Sequence, residues 1–234
     1  MTLVINNEMV AEVLTMQDTI DALEKAYVDL SKNDAVCRPR IDIQIPTQDG
    51  KVYQWGTMEG GSVGGYFAIR MKSDVTFERE YQGNRVHEKY CTRPGLYCGL
   101  ILLTSVETGE PLAFINDGVL QHMRVGADGG IGVKYMSRED SEVVGMLGSG
   151  GMARSHMDAF SCVRNIKKLQ VFSLTPANRE AYADEMKEKH NVEVVACKNP
   201  EEVYRGADII AGCTNSSSPV IIAECLEAGQ HIVN

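Results

Sequence analysis

The sequence predicts an α/β protein in two parts, an α+β first half followed by a parallel-sheet second half. Three observations predict it. From Ser141 onward, apolar runs of four or five residues alternate with helical stretches, the pattern of a parallel sheet flanked by helices. The first of those strands runs straight into Gly148-Ser149-Gly150-Gly151-Met152-Ala153 and then a helix. Before Leu120 the chain instead shows period-two strands and glycine turns, with one strong helix near its start.

In order, Leu3-Val4-Ile5 reads as a short strand. Thr15 and Asp18 form a capping box in which hydroxyl and carboxylate each meet an orphan N–H, and Ile20, Leu23, Tyr27 and Leu30 give helical spacing over about Met16 to Lys32. Ile41 to Pro46 alternates like a strand, and Val52 to Thr57 reads as another. Gly60 to Gly65 is a glycine turn, after which Tyr66 to Val75 resumes a strand. Asp74, Glu78, Arg79, Glu80, Arg85, His87 and Glu88 read together as a solvated, charged loop. Leu96 to Val106 is a long apolar strand, turned by Thr108 to Pro111 into Leu112 to Asn116. This first sheet is expected to be antiparallel or mixed.

A small-residue helix follows over about 120–137, and Gly129-Gly130-Ile131-Gly132 is read as its packing surface because no strand precedes it. The second half then predicts strands at Val143–Leu147, Leu169–Ser173, Val192–Ala196, Ile209–Cys213 and His231–Val233. Helices are predicted at Met152–Val163, Pro176–His190 and Glu201–Arg205. The expected domains are 1–122, joined by the connecting helix 120–137 to 138–234. The last predicted strand ends almost at Asn234, so the second domain is expected to be C-terminally truncated.

Composition excludes several classes of function. Lys and Arg number 23 against 32 Asp and Glu, a net charge of -9 with no basic run, so neither nucleic acid nor an anionic membrane is an expected partner. No apolar run approaches the ~20 residues of a membrane helix, and the first residues lack a signal-peptide pattern. The seven cysteines include no Cys-x-x-Cys pair, which reads as free thiols and a cytoplasmic setting. The five histidines form no ligand motif, so no metal is expected.

The Gly148-x-Gly150-x-x-Ala153 spacing fits a dinucleotide fingerprint, which makes the second half Rossmann-type. Gly148 permits the tight turn, and Gly150 admits a pyrophosphate. Ala153 lets the helix approach the strand, while Ser149, Gly151 and Met152 lie at the helix N-terminus that would face the phosphates. The end of the next strand carries no acid for a ribose 2′-hydroxyl. Its polar groups are Ser173, Thr175, Asn178 and Arg179, which suit a 2′-phosphate and favour NADP(H) over NAD(H). The alternative is that Thr175 only caps the following helix, with Pro176 at its first position.

In the first half, Arg38 and Arg40 flank Pro39, Arg70 and Lys72 share one strand face, and Arg124 interrupts the small-residue helix. Converging cations would clamp a carboxylate, and a partly desolvated lysine would serve as acid or base. Gln54, Met58, Tyr97 and His122 are candidates for the pocket wall.

Thr108-Gly109-Glu110-Pro111-Leu112-Ala113, then Asp117-Gly118, then Leu120-Gln121-His122-Met123-Arg124-Val125-Gly126-Ala127 together resemble the ornithine cyclodeaminase/mu-crystallin family, with spacing kept from about Arg40 to Asn234. The resemblance implies a dimer, a small amino or imino acid as substrate, and a substrate domain built from both chain ends around a Rossmann domain. It implies that Arg40 and Arg124 hold the substrate carboxylate and that the catalytic strand lysine falls at Arg70 or Lys72. Spacing favours Arg70, and residue type favours Lys72, which we take as catalytic with Arg70 beside it in the substrate site. Cys213 and Thr214 would flank the nicotinamide, and Asn215 stands where cyclodeaminases of the family carry an Asp. Asn cannot act as a base, so the expectation is a C=N reductase or its reverse. An ornithine-to-proline lyase and a non-catalytic, crystallin-like NADPH-binding protein are the alternatives.

Overall fold

The structure is a computed structural model that describes residues 1–91 and 96–234. Its contacts divide it into two compact units, Met1–Arg79 with His87–Gln121, and Glu80–Val86 with His122–Asn234.

The first unit is built on an eight-stranded sheet. Its strands are β1 (Leu3–Ile5), β2 (Ala35–Cys37), β3 (Ile41–Pro46), β4 (Val52–Ser62), β5 (Tyr66–Tyr81), β6 (Asn84–Lys89), β7 (Gly99–Ser105) and β8 (Pro111–Asn116). They run in the order β1-β8-β7-β5-β4-β2, with β3 also on β4 and β6 also on β5. Only β1 with β8 is a parallel pair among the registered neighbours, so the sheet is mixed. Two helices precede β2, α1 (Asn7–Val13) and α2 (Met16–Ser31). Helix α1 escapes the sequence reading because it is short; Asn6 caps it by accepting from the Met9 N–H at 2.9 Å. At α2 the Thr15 hydroxyl accepts from the Asp18 N–H, as the capping box requires. The Asp18 carboxylate, however, accepts from the Thr15 hydroxyl at 2.5 Å rather than from an N–H.

Two expectations are corrected. The charged stretch around Glu78 to Glu88 is not a solvated loop but the hairpin of β5 and β6. Cross-strand pairs Arg79–Glu88 and His87–Glu78 clasp it at 2.7 and 2.8 Å. Asp74 is a buried residue of β5 with only 3% of its surface exposed. The glycine turn is also shorter than expected, since Gly60 to Ser62 continue β4 and only Val63 to Gly65 turn. A Cβ on Gly60 would come within 2.9 Å of the Val36 carbonyl on β2, so the glycine serves strand contact there.

The second unit is a five-stranded, wholly parallel sheet in the order β11-β10-β9-β12-β13. Its strands are β9 (Val143–Leu147), β10 (Lys168–Phe172), β11 (Glu193–Ala196), β12 (Ile209–Gly212) and β13 (His231–Val233). Val144, Met146, Leu169, Val171, Ile209 and Ala211 face one side. There they pack with Val133 of α3 (Asp117–Met136), Met157 and Phe160 of α4 (Gly151–Val163), and Tyr182 and Met186 of α5 (Pro176–His190). Helix α3 lies close to α4: a Cβ on Gly126 would stand 2.4 Å from the Ser155 carbonyl, and one on Gly130 2.8 Å from Ala159 Cβ. Leu147 and Ile210 face the opposite side, against Val203, Tyr204 and Ala207. That side carries no α-helix among the described residues. The helix expected at Glu201–Arg205 is a 3-10 turn, Pro200–Val203, because the stretch between β11 and β12 is too short to span the sheet as an α-helix.

Candidate functional site

In the second unit, the β9–α4 connection forms the fingerprint turn. Gly148 has φ +110°, and a Cβ there would lie 2.1 Å from the Cys213 carbonyl oxygen, so only glycine fits. Its N–H donates to the Phe172 carbonyl at 2.8 Å, while the Cys213 N–H donates to the Leu147 carbonyl at 2.7 Å. The turn is thus wedged between the ends of β10 and β12. Gly150 is the N-cap of α4 with extended backbone, and nothing lies within 4 Å of the place a Cβ would occupy. The first turn of α4 begins at Gly151 and Met152 with no side-chain cap, and Ala153 is fully buried against β9 and α5. An open glycine before an uncapped helix N-terminus has the shape and the donors for a pyrophosphate, so these residues fit a dinucleotide.

The strand-end polar groups divide. Ser149 donates to the Ser173 hydroxyl at 2.9 Å, which ties the turn to the end of β10. Thr175 is the N-cap residue of α5 with Pro176 after it, yet its hydroxyl makes no capping bond and instead pairs with the Tyr81 hydroxyl at 2.6 Å. Asn178 is exposed. Arg179 is buried beneath the strand end, with Nη1 donating to the Ser173 carbonyl at 3.2 Å and the guanidinium over the Phe172 ring. Beyond β12, Cys213 carries a thiol that burial pushes up to about 12. Thr214 accepts from the Ser216 N–H at 3.2 Å, and Asn215 is exposed in the same loop. Ser216 forms an antiparallel bridge with Val86, and the Ser217 N–H donates to the Arg85 carbonyl, so the tip of the β5–β6 hairpin is held at this loop. Arg124 lies half-buried on α3. His122 also lies on α3, beside Gly151.

In the first unit, β5 alternates so that Arg70, Lys72, Asp74 and Thr76 share a face. Register with β4 sets Met58, Gly56 and Gln54 beside Arg70, Lys72 and Asp74. Lys72 is 8% exposed, and its Nζ lies 3.0 Å from Asp74 Oδ2 and 3.3 Å from Gln54 Oε1. Lys89 reaches the same Asp74 oxygen at 3.4 Å from β6, with its ammonium over the Tyr97 ring. Burial pushes the Lys72 ammonium below the ordinary lysine range. Its hydrogen bond to Asp74 works the other way, and the charges of Lys89 and Arg40 add to the lowering. Arg40 pairs with Asp42 at 2.9 Å. A Cβ on Gly56 would stand 2.4 Å from Asp42 Oδ1, so this pair lies over the glycine opposite Lys72. Arg38 turns away to Glu59.

Arg70 is held differently. Its Nε donates to Asp117 Oδ2 at 2.6 Å and its Nη2 to Gln121 Oε1 at 2.9 Å, with Met58 Sδ at 3.9 Å. Asp117 is fully buried at the start of α3. Arg70 is therefore engaged along its whole guanidinium edge, whereas the Lys72 ammonium is the more weakly fastened cation. Sequence reasoning missed Asp74, Lys89, Asp117 and Gln121. For Asp74 a signal existed, since Arg-x-Lys-x-Asp on a strand must place all three on one face. A cavity of about 450 Å³ opens on the other face of β5, lined in part by Trp55, Met71, Ser73 and Asn116. Among the described residues, no group of three or more His, Cys, Asp or Glu is arranged to hold a metal ion. No described helix is long and apolar enough to cross a membrane.

The sequence carrying this geometry has known relatives. It matches the ornithine cyclodeaminase/mu-crystallin family over residues 1–234. The chain belongs to that family. Among its relatives, the Delta(1)-pyrroline-2-carboxylate reductase of Bacillus cereus is 33% identical over 134 residues, 57% of this chain and 41% of that protein. The alanine dehydrogenase of Archaeoglobus fulgidus is 25% identical over 233 residues, 99% of this chain and 66% of that one. A solved family structure, Delta(1)-pyrroline-2-carboxylate reductase of Thermococcus litoralis in complex with NADH and L-proline, superposes with a TM-score of 0.82 at 25% identity, covering 99% of this chain and 68% of that one. The chain thus spans less than half of the Bacillus reductase and about two thirds of the archaeal relatives.

Proposed function

We propose that this protein reduces the C=N bond of a 2-imino acid or cyclic ketimine carboxylate, or runs the reverse on the amino acid. The observation that carries the reading is Lys72, a buried ammonium on a polar strand face with its hold on the proton weakened by burial. Two relatives named as pyrroline-2-carboxylate reductases support the substrate class. A nicotinamide dinucleotide held at the Gly148 turn would supply the hydride that the imine carbon takes. Arg40 and Arg124 take the carboxylate, as the family resemblance implies, and Arg70 fixes the wall on the Lys72 strand. Lys72 gives its proton to the nitrogen, becomes a neutral amine and is recharged from solvent, so one C=N bond becomes one C–H and one N–H. Ser149, Gly150, Gly151 and Met152 would hold the pyrophosphate, and Cys213, Thr214 and Asn215 would border the nicotinamide.

NADP(H) is favoured over NAD(H), since Ser173, Thr175, Asn178 and Arg179 include no acid to hold a 2′-hydroxyl or repel a 2′-phosphate. The Thermococcus relative holds NADH, so both nucleotides belong in the test. Asn215, in the place of an acid, disfavours a cyclodeaminase lyase. The protein functions as a homodimer in the cytoplasm in this reading.

The experiment follows NADPH and NADH oxidation with pyrroline-2-carboxylate, piperideine-2-carboxylate, and pyruvate with an amine. Steady consumption with one of them supports the reductase. Tight nucleotide binding without consumption refutes it, and ornithine turnover without net consumption would establish the lyase instead.

A further inference from the structure

Lys72 sits among an uneven set of charges. It is paired with Asp74 of its own strand and feels the charges of Lys89 on β6 and Arg40 just before β3; Arg40 is itself paired with Asp42, and Arg70, two residues before Lys72, with Asp117. Strand β4 offers only the neutral amide of Gln54, and the neighbouring Tyr97 is a phenol that burial pushes up. Two of the three carboxylates are already taken, Asp42 by Arg40 and Asp117 by Arg70. Asp74 is then a single carboxylate shared by two ammoniums, Lys72 at 3.0 Å and Lys89 at 3.4 Å, and its side chain is 2% exposed.

A buried ammonium is unfavourable unless paired, and an unpaired one sheds its proton. Asp74 lies two residues beyond Lys72, so the strand's period puts both on one face with no loop to order. We infer that Asp74 is a positioning residue, which fixes the Lys72 ammonium in place and in its charged form, and that Lys89 is the opposing cation that weakens this hold. The inference rests on the reading of Lys72 as proton donor. It explains how a nearly buried lysine stays loaded for a proton transfer without being locked as Arg70 is. The two neighbours act on Lys72 in opposite senses, and this gives a signature that a merely structural role would not produce.

The variants are D74N, which keeps the shape and removes the charge, D74E, which restores the charge, and K89Q. A proton donor works only while protonated, so reduction fades as pH rises through the Lys72 titration. In D74N that alkaline limb moves to lower pH, by about 1 unit or more; D74E brings it back; K89Q moves it to higher pH. The Lys72 titration is followed in parallel by NMR of ¹³C-dimethylated lysines, assigned with K72R, which needs no turnover. Opposite displacements of the Lys72 resonance in D74N and K89Q support the inference. An unmoved resonance in both, or displacement in the same direction, overturns it. If the resonance moves as expected but K72M still reduces imines, the donor reading fails while the Asp74–Lys72 coupling stands. Should D74N not fold, K89Q alone still decides, because no upward displacement there refutes the shared-carboxylate account.

Discussion

Gly148 and Gly150 are two residues apart and carry different burdens. A methyl at Gly148 would overlap the Cys213 carbonyl and force a residue with a side chain into φ +110°, whereas a methyl at Gly150 meets nothing. G148A should therefore lose about 1–3 kcal/mol of stability in urea denaturation, and nucleotide binding with it. G150A should melt within about 0.5 kcal/mol of the parent yet bind NADPH at least about tenfold more weakly, because its methyl would fill the space proposed for the pyrophosphate. A G150A protein that keeps full nucleotide affinity would reduce the fingerprint to a structural turn. For Lys72, K72M should lower turnover by about 10²–10⁴-fold with nucleotide affinity kept, read by steady-state rates beside a fluorescence titration. These glycines were legible from the sequence because their requirement is local. Asp74 was not, although its spacing from Lys72 is, because a carboxylate among Glu78, Arg79 and Glu80 reads as surface until the strand is known to continue through it.

Strand β9 shows how one backbone position couples two layers. Its even-numbered residues Val144 and Met146 meet the helices, and Gly145 meets the other side, where a Cβ would stand 2.5 Å from the Val203 carbonyl and 2.8 Å from Ile210 Cδ1. G145A should cost about 1–3 kcal/mol, measured as a lowered denaturation midpoint with an unchanged slope. Strands β9 and β13 and helix α5 take the residues the sequence predicts, since apolar period and flanking Thr-Pro or Gly signals agree there. The hairpin of β5 and β6 does not, because its outward residues are charged and its stability comes from pairs across the ribbon, which a local pattern does not display. The 3-10 turn at Pro200–Val203 had helical composition but too few residues to form two turns.

Taken whole, the chain leaves an apolar edge. Every residue of β3 is exposed, and Ile41, Ile43 and Ile45 show 49%, 55% and 53% of their surface. Such a strand invites cover by another chain, in keeping with the proposed homodimer. Replacing Ile43 and Ile45 together by lysine should lower the mass seen by light scattering; an unchanged mass would place the interface elsewhere. The division into units also contains something the sequence did not announce. Residues 80–86 group with the nucleotide-fingerprint unit although they lie in the middle of the first half, through Tyr81 on Thr175 and Val86 on Ser216. Contacts between residues so far apart in sequence leave no periodic trace to read.

The carbonyl that forbids a side chain at Gly148 belongs to a cysteine whose thiol, held up to about 12, is protonated throughout the physiological range. Cys213 should thus react slowly with alkylating agents, and exposed Cys37 should react first. Since Cys213 stands at the fingerprint turn, the rate at which iodoacetamide modifies it should fall further when nucleotide is added, so a native thiol reports cofactor binding and no probe has to be built in.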